Sequence, residues 1–166
     1  MTDRTEDALE LLDADHNAVR KLFQAYRELA ANDASEARRK ALAEQICMEL
    51  TIHAKLEEEL FYPPVRDAIR DDDLLDEAEV EHAAARDLIV QILSMDPHEE
   101  LYDAKVTVLG EYIDHHVKEE RDEIFPKVRK SGLDLVRLGE RLRVRRRELE
   151  AVPEALREEL LVSLAA

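Results

Sequence analysis

Residues 51–63, TIHAKLEEELFYP, place Glu57 four positions after His53. Residues four apart lie one turn apart on the same face of a helix. An imidazole and a carboxylate in that relation can reach the same metal ion. Residues 113–126, IDHHVKEERDEIFP, repeat the arrangement and also end in a proline, Pro126 in place of Pro63. The two stretches predict two helices that each present a histidine–glutamate pair.

The two stretches belong to an internal repeat. In the second stretch His116 and Glu120 stand 63 residues after their counterparts. Two further histidines, His16 and His82, lie 66 residues apart on the apolar faces of other helices. Two helix hairpins of one design, each giving one histidine from its first helix and a pair from its second, would pack about a pseudo-twofold axis. A site on that axis would receive matched ligands from both halves.

The spacing of apolar residues predicts an all-α chain. Asp96 is the predicted N-cap of the fourth helix, with Pro97 in its first turn and Glu99 at capping-box spacing, and Asp73 and Asp134 are predicted to cap two others. Short connections favour an up-down-up-down four-helix bundle with extra C-terminal helices. We expect a bundle domain over 1–130 and a helical extension packed on it over 131–166. The predicted helices cover about 5–31, 35–63, 74–95, 96–126, 135–150 and 153–164.

Composition limits the function classes. The 166 residues include 24 Lys and Arg against 40 Asp and Glu, a formal net charge of −16. That charge argues against a nucleic-acid partner. No run approaches 18 apolar residues and the N-terminus has no apolar signal core, so we expect no membrane partner. The single cysteine, Cys47, fits a reducing compartment, and we expect a soluble cytoplasmic protein.

The histidines and glutamates admit two interpretations. An isolated ion in an apolar interior is costly unless it is paired or metal-bound. Arginine and lysine are scarce on the inner faces, with Arg20 and Arg86 as the exceptions, so metal ions are the more economical compensation. The alternative is a buried ionic network without metal. The metal interpretation predicts six ligands, a sensible number for two ions: His16, His53, Glu57, His82, His116 and Glu120.

Several neighbouring residues leave the assignment open in detail. His115 and Glu119 are also four apart, so the register of the fourth helix has an alternative, although the 63-residue repeat selects His116 and Glu120. Glu79 is a candidate to support His82 from the next turn. For the remaining candidates a structural role is favoured: an exposed position for His98, and core packing for Cys47 and for three tyrosines that can also reach the site, Tyr26, Tyr62 and Tyr112.

The chain resembles the hemerythrin-like (HHE cation-binding) domain family. The stretches DADH, HAKLEEELFYP, EVEH and HHVKEERDEIFP match its motifs in order and spacing, over about residues 5–130. The resemblance implies a left-handed four-helix bundle with two iron ions in an oxo- or hydroxo-bridged non-haem centre. It implies four histidine ligands and two bridging carboxylates, on the six residues given above, and no catalytic residue beyond them.

One departure from the family bears on function. Oxygen-carrying members have a further histidine one turn after the third helix's histidine, where this chain has Arg86. The resulting site is nearly symmetric, which argues against reversible O2 storage. The chain looks more like the bacterial single-domain proteins linked to peroxide, iron or stress. We expect a catalase-like protein that acts on H2O2. The alternative is a module that binds or senses O2, NO or iron without turnover. Only small-molecule partners are expected, with the chain as a monomer or homodimer.

Overall fold

The computed structural model describes residues 5–163, over which the chain forms six helices and no strand. Helix α1 packs beside α2 and α4, and α3 packs beside the same two, so the first four helices close into a bundle. The predicted all-α up-down-up-down bundle with extra C-terminal helices is confirmed. The helices are α1 (Ala8–Ala31), α2 (36–69), α3 (Asp72–Leu93), α4 (102–130), α5 (Leu135–Glu150) and α6 (Pro153–Val162).

Polar caps fix where several helices begin. Asp7 caps α1 through a capping box: its carboxylate accepts from the Glu10 N–H at 3.0 Å, and Glu10 accepts from the Asp7 N–H at 3.0 Å. Asp134 caps α5, as predicted. The predicted cap at Asp73 is wrong, because the Asp71 carboxylate accepts from Leu74 N–H and α3 begins at Asp72. A carboxylate oxygen at these positions satisfies amides that have no partner within the helix.

The fourth helix starts later than the sequence predicted. Glu99 does accept from the Asp96 N–H at 2.6 Å, so the expected capping contact forms. The backbone bonds that follow, from Glu99 N–H to Asp96 and from Tyr102 N–H to Glu99, span three residues instead of four. They make consecutive turns over 96–101, and α4 begins at Tyr102.

Both helices that were expected to end at prolines continue through them. Helix α2 comprises Glu36–Leu56, a π-helical turn at Glu57–Phe61, and Tyr62–Ile69. In the π turn the Tyr62 N–H bonds five residues back, to the Glu57 carbonyl. The wider turn accommodates the next residue, a proline that has no N–H to donate.

Helix α4 has the same construction: Tyr102–Glu119, a π turn at Glu120–Ile124, and Phe125–Lys130. Each π turn therefore begins at a glutamate that the sequence predicted to be a metal ligand. Such turns are frequent at functional sites.

Two buried apolar clusters lie at the two ends of the bundle. The C-terminal helices join both, through Leu138, Leu142 and Leu156 at one end and Leu160 at the other. Helix α5 packs on α1 and α2, and α6 packs on α2 and α3. Helix α5 therefore buries a leucine stripe, while Arg145 pairs with Glu59 of α2 and Arg146 pairs with Asp15 of α1.

Small residues allow two close approaches between helices. A Cβ added at Gly110 of α4 would lie 3.1 Å from the Phe23 ring of α1. A Cβ added at Gly139 of α5 would lie 3.0 Å from the Ala8 backbone nitrogen.

Along 5–163, no helix is both long enough and apolar enough to span a bilayer.

Candidate metal centre

Four helices bring the six predicted ligand residues together in the middle of the bundle. All six are buried, and both glutamates are 0% exposed. The histidines come one from each of α1 to α4, and each glutamate opens the π turn of its helix. Because the two glutamates stand next to both histidine pairs, the cluster consists of two half-sites that share their carboxylates.

The N-terminal half-site contains His16 and His53. Their Nε2 atoms lie 3.1 Å apart. Glu57 Oε1 lies 3.0 Å from His53 Nε2, and Glu120 Oε2 lies 3.3 Å from His16 Nε2. One ligand atom from each of these four residues falls within 4.8 Å of the others, which is compact enough for one metal ion.

The C-terminal half-site contains His82 and His116. Their Nε2 atoms are also 3.1 Å apart. Glu120 Oε1 lies 3.0 Å from His116 Nε2, and Glu57 Oε1 lies 3.4 Å from His82 Nε2. This second set of four ligand atoms also fits within 4.8 Å. The arrangement confirms that the buried cluster of histidine and glutamate is able to hold metal.

Carboxylates that contact Nδ1 set the tautomer of three of the four imidazoles. His53 Nδ1 lies 3.0 Å from Asp15, and His82 Nδ1 lies 3.0 Å from Glu58. His116 Nδ1 lies 3.1 Å from Glu81. An ionised carboxylate only accepts, so each of these Nδ1 atoms is the donor. The Nε2 atoms of the neutral rings are then left with lone pairs that point into the cluster.

In the C-terminal half-site, carboxylates hold both rings with their Nε2 lone pairs inward. Two such atoms facing each other at 3.1 Å would repel, and a single proton or a metal ion removes the conflict. Burial disfavours the protonated form of His53, but the charges of Glu57 and Asp15 outweigh burial and raise its pKa to about 10. For His116, burial is likewise outweighed by Glu120, and its pKa lies well above the usual range. The cluster therefore attracts positive charge strongly.

The glutamates carry the complementary signal. Glu57 Oε1 and Glu120 Oε2 are buried and make no hydrogen bond within the described residues. Burial alone would raise the pKa of Glu57, but the charge of His53 and hydrogen bonds from the cluster hold it well below the ordinary value. An ionised, buried carboxylate with an unpartnered oxygen fits a bridging metal ligand. The donor set of imidazole and carboxylate, without thiolate, suits iron, manganese or zinc.

Tyr62 is a functional candidate that the sequence analysis assigned to core packing. Its hydroxyl donates to Glu120 Oε1 at 2.5 Å and lies 3.3 Å from the Nε2 atoms of both His82 and His116. Burial and the charge of Glu120 raise the pKa of Tyr62 well above 10, so the phenol keeps its proton.

Arg86 does not enter the cluster. Its Nη2 donates to Glu58 Oε1 at 2.7 Å, the same oxygen that faces His82 Nδ1. Glu79 is the predicted support for His82, but Glu58 has that place. Arg86 thus holds the carboxylate that orients a histidine, one step away from the metal position.

The other sequence candidates lie outside the cluster. His115 is 67% exposed and faces Glu81 and Glu119, so the register given by the repeat, with His116 inward, is the observed one. His98 is exposed in the turn before α4. Tyr26 donates to Asp103 at 2.5 Å, far along the bundle.

The predicted core-packing role has opposite outcomes for Tyr112 and Cys47. Tyr112 is 46% exposed, so its assignment to the core was wrong. Cys47 is fully buried, and burial raises the pKa of its thiol to about 12.

A cavity of about 300 Å³ opens onto the histidine edges of the cluster. Apolar side chains form much of its wall, among them Val19, Leu50 and Ile89. Leu160 of α6 contributes to it, and Lys55 and Glu159, paired at 2.9 Å, stand near its border. A space of this size and lining admits a small molecule rather than a polymer.

Comparisons with known proteins agree with the geometry. Residues 7–128 match the model of the hemerythrin HHE cation-binding domain. A crystal structure of a hemerythrin HHE cation-binding domain-containing protein from Mycobacterium kansasii superposes with a TM-score of 0.68 at 23% identity. The superposition covers 97% of this chain and 93% of that one, and at this identity it supports the fold alone.

One relative of known sequence carries a name that refers to DNA cleavage. A protein called DNA nickase, from Nostoc sp. (strain PCC 7120), is 30% identical over 115 residues. The alignment covers 69% of this chain but only 31% of that protein, so the chain spans about a third of its length.

Proposed function

The chain belongs to the hemerythrin HHE cation-binding domain family, and we propose that its cluster holds two iron ions and acts on H2O2 in a catalase-like way. The observation that carries the proposal is the pair of opposed imidazole Nε2 atoms, repeated in two half-sites that share two fully buried glutamates. Such a duplicated donor set suits two cations close together. The ligands would be His16, His53, Glu57, His82, His116 and Glu120.

Disproportionation converts two H2O2 into two H2O and one O2, so one peroxide is reduced and the other is oxidised. Iron would supply the redox change and the Lewis acidity that this reaction needs. The chain's own contribution is a largely apolar pocket, fixed ligands and a hydrogen-bond donor. Tyr62 is the group placed to hold a proton at the cluster, because its hydroxyl contacts Glu120 and two imidazoles.

The cavity supports a small, uncharged substrate. Much of its wall is apolar, and its volume of about 300 Å³ is ample for a peroxide molecule. We therefore propose small molecules as partners. We also propose that the protein acts as a monomer or homodimer in the cytoplasm.

The test begins with metal analysis. We expect about two iron ions per chain in protein produced with iron. Glu57→Ala and Glu120→Ala should each lower occupancy strongly and equally, whereas His98→Ala and His115→Ala should leave it nearly unchanged. Adding H2O2 to the iron-loaded protein at an oxygen electrode should release half a mole of O2 per mole of peroxide consumed. A stoichiometry near zero in folded protein refutes the site, and bound iron without O2 release refutes the catalytic activity.

A binding or sensing module for O2, NO or iron is the second candidate. The apolar cavity favours it, since a diatomic gas would enter such a space as readily as peroxide does. Arg86, in the place of an oxygen carrier's further histidine, argues only against reversible O2 storage. A stable, reversible spectral change on adding O2 or NO, with no O2 evolved from peroxide, would favour this candidate over the first.

We do not propose the nicking activity of the Nostoc protein for this chain. The alignment leaves more than two thirds of that protein unmatched. A net charge of −16 repels the DNA backbone, whose phosphates normally require lysine and arginine contacts.

A further inference from the structure

The internal repeat makes the two half-sites comparable residue by residue, and the comparison exposes a difference in how their histidines are supported. His53 and His116 are treated alike. The residue before His16, Asp15, supports His53, and the residue before His82, Glu81, supports His116. Both contacts connect Nδ1 to a carboxylate at about the same distance, 3.0 and 3.1 Å.

His16 and His82 are not treated alike. Glu58 faces His82 Nδ1 at 3.0 Å. The position 63 residues later, which by the repeat would face His16, holds Arg121. An arginine offers no acceptor. His16 Nδ1 is accordingly buried with no hydrogen-bond partner within the described residues.

Arg121 also takes the carboxylate that stands nearest to His16. Asp13 Oδ1 is 3.9 Å from His16 Nδ1, beyond hydrogen-bond distance. The same oxygen accepts from Arg121 Nε at 2.5 Å, and Arg121 Nη2 donates to Asn17 at 3.0 Å. The guanidinium is thus held on the surface of α1 and keeps Asp13 away from the imidazole.

A second difference reinforces the first. Tyr62 places a hydroxyl oxygen 3.3 Å from both Nε2 atoms of the C-terminal half-site. Its counterpart in the repeat is Phe125, whose ring lies parallel to His16 with the centroids 6.0 Å apart. The C-terminal half-site therefore has an additional oxygen, and the N-terminal half-site has an apolar ring instead.

We propose that the two half-sites bind metal with unequal affinity, with the C-terminal half-site filling first, and that Arg121 is a positioning residue that weakens the N-terminal one. A ligating histidine gains basicity and a fixed orientation when its other nitrogen donates to a carboxylate, and loss of such a partner typically lowers metal affinity about 10–100-fold. His16 is the one predicted histidine ligand without that support. The inference rests on the proposed metal centre and adds an order of filling to it.

The experiment is a titration of metal-free protein with Co²⁺, followed by calorimetry and by the visible absorption of the bound ion. We expect two steps whose dissociation constants differ by about 10–100-fold. His16→Ala should remove the weak step and keep the tight one, and His82→Ala should remove the tight step. Circular dichroism of each variant establishes that the helices are retained.

Arg121→Gln tests the positioning role without touching a ligand. It frees Asp13 to accept from His16 Nδ1, so the weak step should tighten toward the other by about tenfold or more while the tight step stays. Lys118→Gln is the matched control, because it removes the same charge from the same helix. Lys118 is 75% exposed and pairs with Asp122. It should leave both steps unchanged.

The outcomes separate the inference from the proposed centre. No Co²⁺ bound to folded protein refutes the centre and the inference together. Two ions bound with equal constants refute the inference alone, as does a tight step that survives His82→Ala but not His16→Ala. Equal effects of Arg121→Gln and Lys118→Gln would reduce Arg121 to a contributor of surface charge and overturn its positioning role.

Discussion

Replacing Tyr62 by phenylalanine removes one oxygen atom from the cluster and keeps the ring that packs there. The ring lies against Phe61 and His82, with centroids 5.7 and 5.4 Å away, and those contacts remain. The lost hydroxyl donates to Glu120 at 2.5 Å, and Glu120 is fully buried. Water therefore has no access to replace the donor in the metal-free protein.

The size of the loss depends on whether metal is bound. A hydrogen bond to a charged acceptor contributes about 1.5–3 kcal/mol to the free energy of unfolding. We expect Tyr62→Phe to destabilise the metal-free protein by that amount. In the loaded protein the ions compensate the Glu120 charge, and the cost falls to that of an ordinary hydrogen bond, about 0.5–1.5 kcal/mol. Metal should therefore stabilise the variant more than it stabilises the original chain.

Urea denaturation of metal-free and loaded protein measures both quantities. Tyr26→Phe is the matched control, because Tyr26 also donates to a carboxylate at 2.5 Å but its acceptor, Asp103, is remote from the cluster. Its loss should be equal with and without metal. If Tyr62→Phe also loses the same free energy in both forms, the coupling between Tyr62 and the metal position is refuted. A loss below about 0.5 kcal/mol in metal-free protein would refute the hydrogen bond itself.

Three further predictions follow from the remaining contacts. Metal loading at pH 7 should release about two protons per chain, one from each opposed imidazole pair. Metal affinity should weaken as the pH falls, because the His53 pKa is raised to about 10 and its proton must leave. Calorimetry in buffers of different ionisation enthalpy counts the protons, and zero release contradicts the shared-proton arrangement. Cys47, with its pKa raised by burial to about 12, should resist iodoacetamide at pH 8 in the folded protein and react in urea, as mass spectrometry would record. Gly139→Ala should lower the free energy of unfolding by about 1–3 kcal/mol, since the new Cβ meets the Ala8 backbone at 3.0 Å, whereas Gly110→Ala, which meets the Phe23 side chain, should cost less.

The buried histidine–glutamate cluster and the bundle were predictable because helical periodicity converts sequence spacing directly into geometry. Glu57 follows His53 by four residues, and that spacing alone puts both on one face. The repeat then fixed the register of α4, where two adjacent histidines compete. His116 is buried and His115 is exposed, as the 63-residue spacing required.

The π turns were not predictable from the same rules. Proline normally ends or kinks a helix, so Pro63 was expected to end α2. A π turn shifts the backbone bonds from four to five residues, and nothing in residue spacing announces the shift. The hydroxyl of Tyr62, directly after the turn, reaches the cluster while its ring stays in the buried core.

The supporting carboxylates were missed for a related reason. Asp15, Glu58 and Glu81 each neighbour a predicted ligand in sequence, and on a regular helix a neighbour points about 100° away, toward solvent. They reach an imidazole of an adjacent helix, which requires the packing of the bundle to be known. The 66-residue relation between Asp15 and Glu81 was visible in the sequence and is the signal that would have found them.

The charge balance of the centre extends into the C-terminal helices. Asp15 is mostly buried beside His53, and an unpaired carboxylate there would be costly. Arg146 of α5 donates to the same Asp15 oxygen that faces His53. Burial opposes ionisation of Asp15, but His53 and Arg146 together lower its pKa. Helix α5 therefore holds a carboxylate that orients a predicted metal ligand, just as Arg86 holds Glu58. An Arg146→Gln variant should weaken the support of His53 and with it the N-terminal half-site, while the His82–His116 half-site keeps its metal.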